Sequence, residues 1–166
     1  MQPAAGVVLP VDRGRPGEQL DDTQVLGLAH AINTLEIEQG KLAIGRARDK
    51  RVKELASRLI ADHGRAEKEL AEFEQRVGLK PADSATATQL RVEATSVQNE
   101  LADARERPFD KLFAKRQVEA HERLIEALDH AIAHTSHPDL ELLLQSFRPR
   151  VEAHGDEAKT LLDAMK

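Results

Sequence analysis

The sequence predicts an all-α fold, a four-helix bundle of two antiparallel hairpins joined by an extra crossover helix. Three observations predict it. Leu and Ala dominate an apolar content of 40%, and Phe, at four positions, is the only aromatic residue; a sheet protein needs more aromatic and β-branched side chains. Four long stretches repeat apolar residues every three or four positions, which gathers them on one helix face. Between the second and third of these lies a more polar helical stretch, long enough to run the length of a bundle.

Taken in order, residues 1–20 form a flexible lead-in punctuated by Pro3, Gly6, Pro10, Gly14, Pro16 and Gly17, and the bundle domain spans residues 21–166. The lead-in lacks the basic start and sustained apolar run of a signal peptide, which leaves open an export signal removed upstream. Asp21-Asp22-Thr23 offers an N-cap for a first helix to about Arg46, with the stripe Val25, Leu28, Ala29, Ile32, then Leu35 or Glu36, then Leu42 and Ala43. Asp49 caps a second helix that runs to about Val77, with Gly78 fitting its C′ position. Its stripe reads Val52, Leu55, Ala56, Leu59, His63, Ala66, Leu70, Phe73 and Val77. Asp83-Ser84 opens the polar helix, expected to end near Arg107. Pro108 starts the next, with Phe109, Leu112, Phe113, Ala120, His121, Leu124, Leu128 and Ile132 on one face. Pro138 starts the last, with Leu140, Leu144, Phe147, Val151, His154, Ala158, Leu161 and Met165, and Pro149 inside it predicts a kink or break near Arg148.

Loop lengths give the topology. Short links near Ala47 and near Ser136 make the first two and the last two long helices antiparallel. The polar helix, at ~22 residues and ~1.5 Å per residue, reaches ~33 Å, close to the ~38 Å of its bundle partners. Two hairpins joined by one long crossover is the ferritin-like arrangement.

Composition excludes several classes of function. Lys plus Arg number 24 against 29 for Asp plus Glu, a net charge of −5, and there is no Trp or Tyr. The basic footprint and stacking platforms of a nucleic-acid binder are missing. Zero Cys removes disulfides, thiolate metal sites and cysteine nucleophiles. No apolar run approaches the ~20 residues of a transmembrane span. No nucleophile elbow or phosphate loop supports a hydrolase or nucleotide reading.

Four ionisable residues interrupt the apolar stripes at one height. Glu36 lies 14 residues after Asp22, His63 14 after Asp49, His121 13 after Pro108 and His154 16 after Pro138. Each therefore stands ~20–24 Å along its helix, just past the middle, where antiparallel helices meet at one level. The tetrapeptide Val118-Glu119-Ala120-His121 recurs as Val151-Glu152-Ala153-His154, and Ile60-Ala61-Asp62-His63 echoes it loosely. The acids beside these histidines turn away from the inward face.

Burying one carboxylate and three imidazoles without compensation is costly, and a divalent cation removes that cost. Neutral imidazoles with a carboxylate suit zinc first and iron second. Glu67 shares the face of His63 as a fifth ligand or as an acceptor behind the ligands. The plainer alternative is a metal-free buried Glu–His network that fixes helix register. His130, His134 and His137 cluster at a helix C-terminus, where they complement the dipole, and His30 is assigned no role.

These residues resemble the domain of unknown function 4142 family over about Asp22 to Met165. The resemblance rests on Glu36-Ile37-Glu38-Gln39-Gly40-Lys41-Leu42-Ala43, on Ala61-Asp62-His63 followed by Glu67 and Leu70, on Phe109-Asp110 followed by Gln117-Val118 and His121, and on Pro149 followed by His154. It implies a bacterial ferritin-like bundle, often exported to the periplasm or cell envelope, with no established activity, and it marks Glu36, His63, His121 and His154 as the positions of interest. Asp110 belongs to the motif and is expected to cap its own helix. A di-iron carboxylate centre needs four carboxylates and paired Glu-x-x-His motifs, whereas these stripes supply three His and one Glu. The favoured expectation is one divalent ion in a protein of metal handling or stress protection. A non-enzymatic interaction bundle and, more weakly, a di-metal oxidase using Glu67 are the alternatives. A homo-oligomer is compatible with the sequence.

Overall fold

The computed structural model describes residues 19–165. The expected lead-in therefore lies almost wholly outside the described residues. Among these, the fold is all-α: α1 (Asp22–Arg46), α2 (Lys50–Val77), α3 (Ala85–Asp103), α4 (Glu106–His134) and α5 (Pro138–Ala164), with no strand.

Local chemistry sets the ends. Asp21 caps α1 in a capping box with Gln24, and Asp49 accepts from the Arg51 N–H at the start of α2. Gly78 ends α2 at φ 72°, the left-handed conformation that glycine adopts without strain. Two boundaries differ from expectation. α3 ends at Asp103 rather than near Arg107, because Arg46 reaches across to bind the carbonyls of Ala102 (2.8 Å) and Ala104 (2.5 Å). α4 begins at Glu106, two residues before Pro108. A proline costs nothing there, since the first-turn N–H groups have no helical acceptor.

Pro149 produces no break, and α5 runs through it. The proline sits on the exposed face, so the Gln145 carbonyl that loses its helical donor is left on the side where water can serve it.

Helices α1 and α2 pack as one hairpin and α4 and α5 as another; α2 also packs on α5 and α1 on α4. Hydrogen bonds at the ends fix the directions. The Ala82 N–H donates to the Thr23 carbonyl (2.9 Å), placing the end of α2 beside the start of α1. Asp22 accepts from the Thr135 hydroxyl (2.5 Å) and the Ser136 hydroxyl (2.7 Å), placing the end of α4 there too. At the opposite end, Asp110 accepts from the backbone N–H groups of Arg48 (3.1 Å) and Asp49 (2.9 Å). Asp110 thus ties the α1–α2 turn to the start of α4 and does not cap its own helix. α3 runs from one end to the other, packed on α1 and α4.

The core divides in two. One apolar cluster gathers Val52, Leu55, Leu59, Phe109, Phe113 and Leu161 near the α1–α2 turn; the other gathers Leu26, Leu70, Phe73, Leu140, Leu144 and Phe147 at the far end. A buried polar layer separates them: Asn33, Glu36, Gln39, His63, Gln117, His121 and His154.

Candidate metal centre

Three helices supply one imidazole each to this layer. His63 on α2, His121 on α4 and His154 on α5 are 5%, 0% and 4% exposed. Their ring centroids are 6.3 Å (63–121), 5.6 Å (63–154) and 5.5 Å (121–154) apart. One nitrogen from each ring lies within 4.8 Å of the others, a buried cluster able to coordinate a metal ion.

Each ring is fixed in one tautomer by a partner behind it. His63 Nδ1 donates to Asn33 Oδ1 (3.0 Å). His121 Nδ1 donates to the Gln117 carbonyl one turn earlier (2.9 Å). His154 Nε2 donates to Asp62 Oδ2 on α2 (2.9 Å). The nitrogens left over, His63 Nε2, His121 Nε2 and His154 Nδ1, are buried with no hydrogen-bond partner among the described residues. Three lone pairs are thus held near one another with no proton between them. A self-sufficient hydrogen-bond network alternates donors and acceptors, and this one does not; a ligating His with its other nitrogen anchored is the arrangement of metal sites.

Protonation follows from burial. Desolvation pushes His63 down to about 3, helped by His121 and His154. It pushes His121 down to about 4 against the Gln117 carbonyl, and it lowers His154 against the opposing pull of Asp62. Near pH 7, His63 and His121 are therefore neutral, the form a metal requires.

Glu36 on α1 is 5% exposed. Burial raises its carboxyl to about 7, opposed by His154 and by a hydrogen bond from the Gln117 side chain. Its Oε2 has no partner among the described residues. Gln117 also donates to Gln39 Oε1 (3.0 Å), so two buried amides hold this edge of the layer. The close-packed nitrogen cluster comprises the three histidines, and Glu36 stands beside it in electrostatic contact with His154.

Behind His63 a chain of bonds leads outward. Asn33 Nδ2 donates to Glu67 Oε2 (3.0 Å), which fixes the amide so that its oxygen faces the ring. The other Glu67 oxygen bonds His30 Nδ1, and His30 Nε2 bonds Glu74 Oε1 (2.6 Å). Burial lowers the His30 pKa, but these two carboxylates outweigh it and raise it overall. Glu67 therefore touches Asn33 and His30, and His30, expected to have no role, bridges two acids.

Asn33 has no place in the sequence reading, Gln39 and Gln117 enter it only as motif residues with no role in the layer, and no partner is expected for Asp62. Val25, Glu36 and Ala43 of the expected α1 stripe are buried, whereas Leu28, Ala29 and Ile32 are only partly so, and Leu26, Ala31, Asn33, Gln39 and Gly40 are buried instead. The spacing of the eight buried positions is a usable signal, hidden because Asn33, Glu36, Gln39 and Gly40 are polar or lack a side chain. Asp62 does turn away from its own helix's inward face, as expected, and so reaches the ring of the adjacent helix. His134 Nδ1 donates to the His130 carbonyl (2.8 Å) at the exposed end of α4, apart from the layer.

Fold and site together define a class: a helical bundle whose core is interrupted by a buried three-histidine cluster. The chain belongs to the family described as Domain of unknown function (DUF4142), which matches residues 11–161. No curated protein and no solved structure matches it.

Proposed function

We propose that this protein is a ferritin-like metal-binding bundle that holds one divalent ion through His63, His121 and His154, with Glu36 as the fourth ligand. The observation that carries the reading is the set of three orphaned imidazole nitrogens, each on a ring whose other nitrogen is anchored. The two antiparallel hairpins with a full-length connecting helix support the ferritin-like assignment. Zinc is the first expected ion and iron the second, since neutral imidazoles with one carboxylate favour them and no thiolate is available. Glu67 serves by holding Asn33, and a bridging role in a di-metal oxidase gains no support from its contacts. Metal handling or stress protection is the role that a single buried ion suggests, and the family resemblance suggests the periplasm or cell envelope as its place.

Metal analysis of the purified chain beside a His121→Ala variant tests the reading. One equivalent of zinc or iron retained by the parent and lost in the variant is expected. A parent without metal, and with unchanged melting on adding Zn²⁺, discards it.

A further inference from the structure

Under α3 lies a cavity of about 60 Å³ bounded by α1, α3 and α4. Glu36 lines it from α1 and Glu93 from α3. Glu93 is 6% exposed; its Oε1 accepts from Gln89 Nε2 (2.7 Å), while its Oε2, like that of Glu36, is buried with no hydrogen-bond partner among the described residues. A buried carboxylate oxygen without a donor is costly. Two residues that carry such oxygens line one cavity, which suits a visitor with positive charge.

We infer that this cavity is the loading site for the divalent cation, with Glu93 receiving it from solvent and Glu36 passing it to the three histidines. The inference rests on the metal-binding reading above. Glu36 is suited to the transfer because it lines the cavity and also interacts with His154. Arg116, Arg123 and Glu119 also border the cavity; the Arg116 guanidinium is bonded to Glu100 and Glu119, which offset its charge, and Arg123 is engaged within the chain as well. A cavity of equal volume on the other side of the layer reaches His63 and His154. Its lining is mainly apolar, with Asp62 already bound to His154 and Arg150 bound to Glu69. It holds no orphaned carboxylate to draw a cation in.

Stopped-flow mixing of the full chain with Co²⁺, whose visible absorption reports histidine coordination, tests the route. Glu93→Gln should slow loading about tenfold, the scale on which a local charge steers an ion, while leaving final stoichiometry and spectrum unchanged. Glu93→Asp keeps a carboxylate in the cavity and should load near the parent rate. Glu72→Gln removes an exposed charge on α2 and should change nothing. Parent-like loading by Glu93→Gln, or loading by Glu93→Asp as slow as by Glu93→Gln, overturns the route. A parent that takes up no Co²⁺ is a different result, which removes the metal-binding reading itself and the route with it.

Discussion

Asp62 on α2 accepts a hydrogen bond from His154 Nε2 on α5 at 2.9 Å, so His154 turns its Nδ1 into the bundle while His63 and His121 turn their Nε2. The acid that directly precedes one histidine therefore orients another. Replacing Asp62 with Asn should weaken metal binding about 10- to 100-fold, the usual cost of losing such an orienting partner. Chelator competition measures it. An unchanged affinity would show that His154 is held by packing alone.

The tautomers give a second prediction. In ¹⁵N-edited NMR of the metal-free protein at pH 7, His63 and His121 should carry their protons on Nδ1 and His154 on Nε2. Their acceptors, Asn33 Oδ1, the Gln117 carbonyl and Asp62 Oδ2, allow no other assignment. A protonated Nε2 on His63 would mean that the Asn33 amide is reversed.

Acid should destabilise the metal-free fold. With folded values near 3 for His63 and near 4 for His121, against 6.5 unfolded, the unfolded chain takes up two protons that the folded chain refuses. Glu36 works oppositely between its ordinary 4.5 and its folded value of about 7, because there the folded state holds the extra proton. At pH 6.5 each unfolded imidazole holds only about half a proton and Glu36 offsets most of that, whereas by pH 5 the balance is about one proton in favour of the unfolded state. The slope should therefore steepen on acidification, to about 1.4 kcal/mol of lost stability per pH unit near pH 5. Urea unfolding at pH 6.5 and 5.0 with chelator present measures the slope; a flat profile contradicts neutral buried rings.

Two glycines separate packing from propensity. A Cβ on Gly27 would lie 1.9 Å from the Ala82 carbonyl oxygen, whereas one on Gly64 meets nothing within 4 Å. Gly64→Ala should stabilise the fold by about 0.5–1 kcal/mol through helix propensity. Gly27→Ala has the same propensity gain but must displace the segment after α2, and should cost about 1–3 kcal/mol net. Thermal melts of both variants check the opposite signs.

How much of this was legible in the sequence depends on periodicity. The α2 stripe coincides with the buried face from Val52 to Phe73, with Val77 partly buried at its end, because each member is apolar or His and all face one core. α1 is legible only in part, at Val25, Glu36 and Ala43, because it packs against α2, α3 and α4 at once, so its buried positions do not form a single apolar stripe. Counting residues from each helix start placed the three histidines at one level, since helical rise is constant. The same count could not reveal Asn33, Gln117 or Asp62 as the groups that aim the rings. Their roles rest on side-chain directions across helices, which spacing along one helix does not encode. Asp110 shows the limit from the other side: its position near a helix start suggested a cap, yet its carboxylate serves the turn between two other helices.

An anomalous-difference map at the zinc edge, from crystals grown with Zn²⁺, tests the central claim most directly. A single peak about 2.0–2.1 Å from His63 Nε2, His121 Nε2 and His154 Nδ1 is the predicted result. No peak among those three nitrogens, or zinc bound only at exposed side chains, would contradict it.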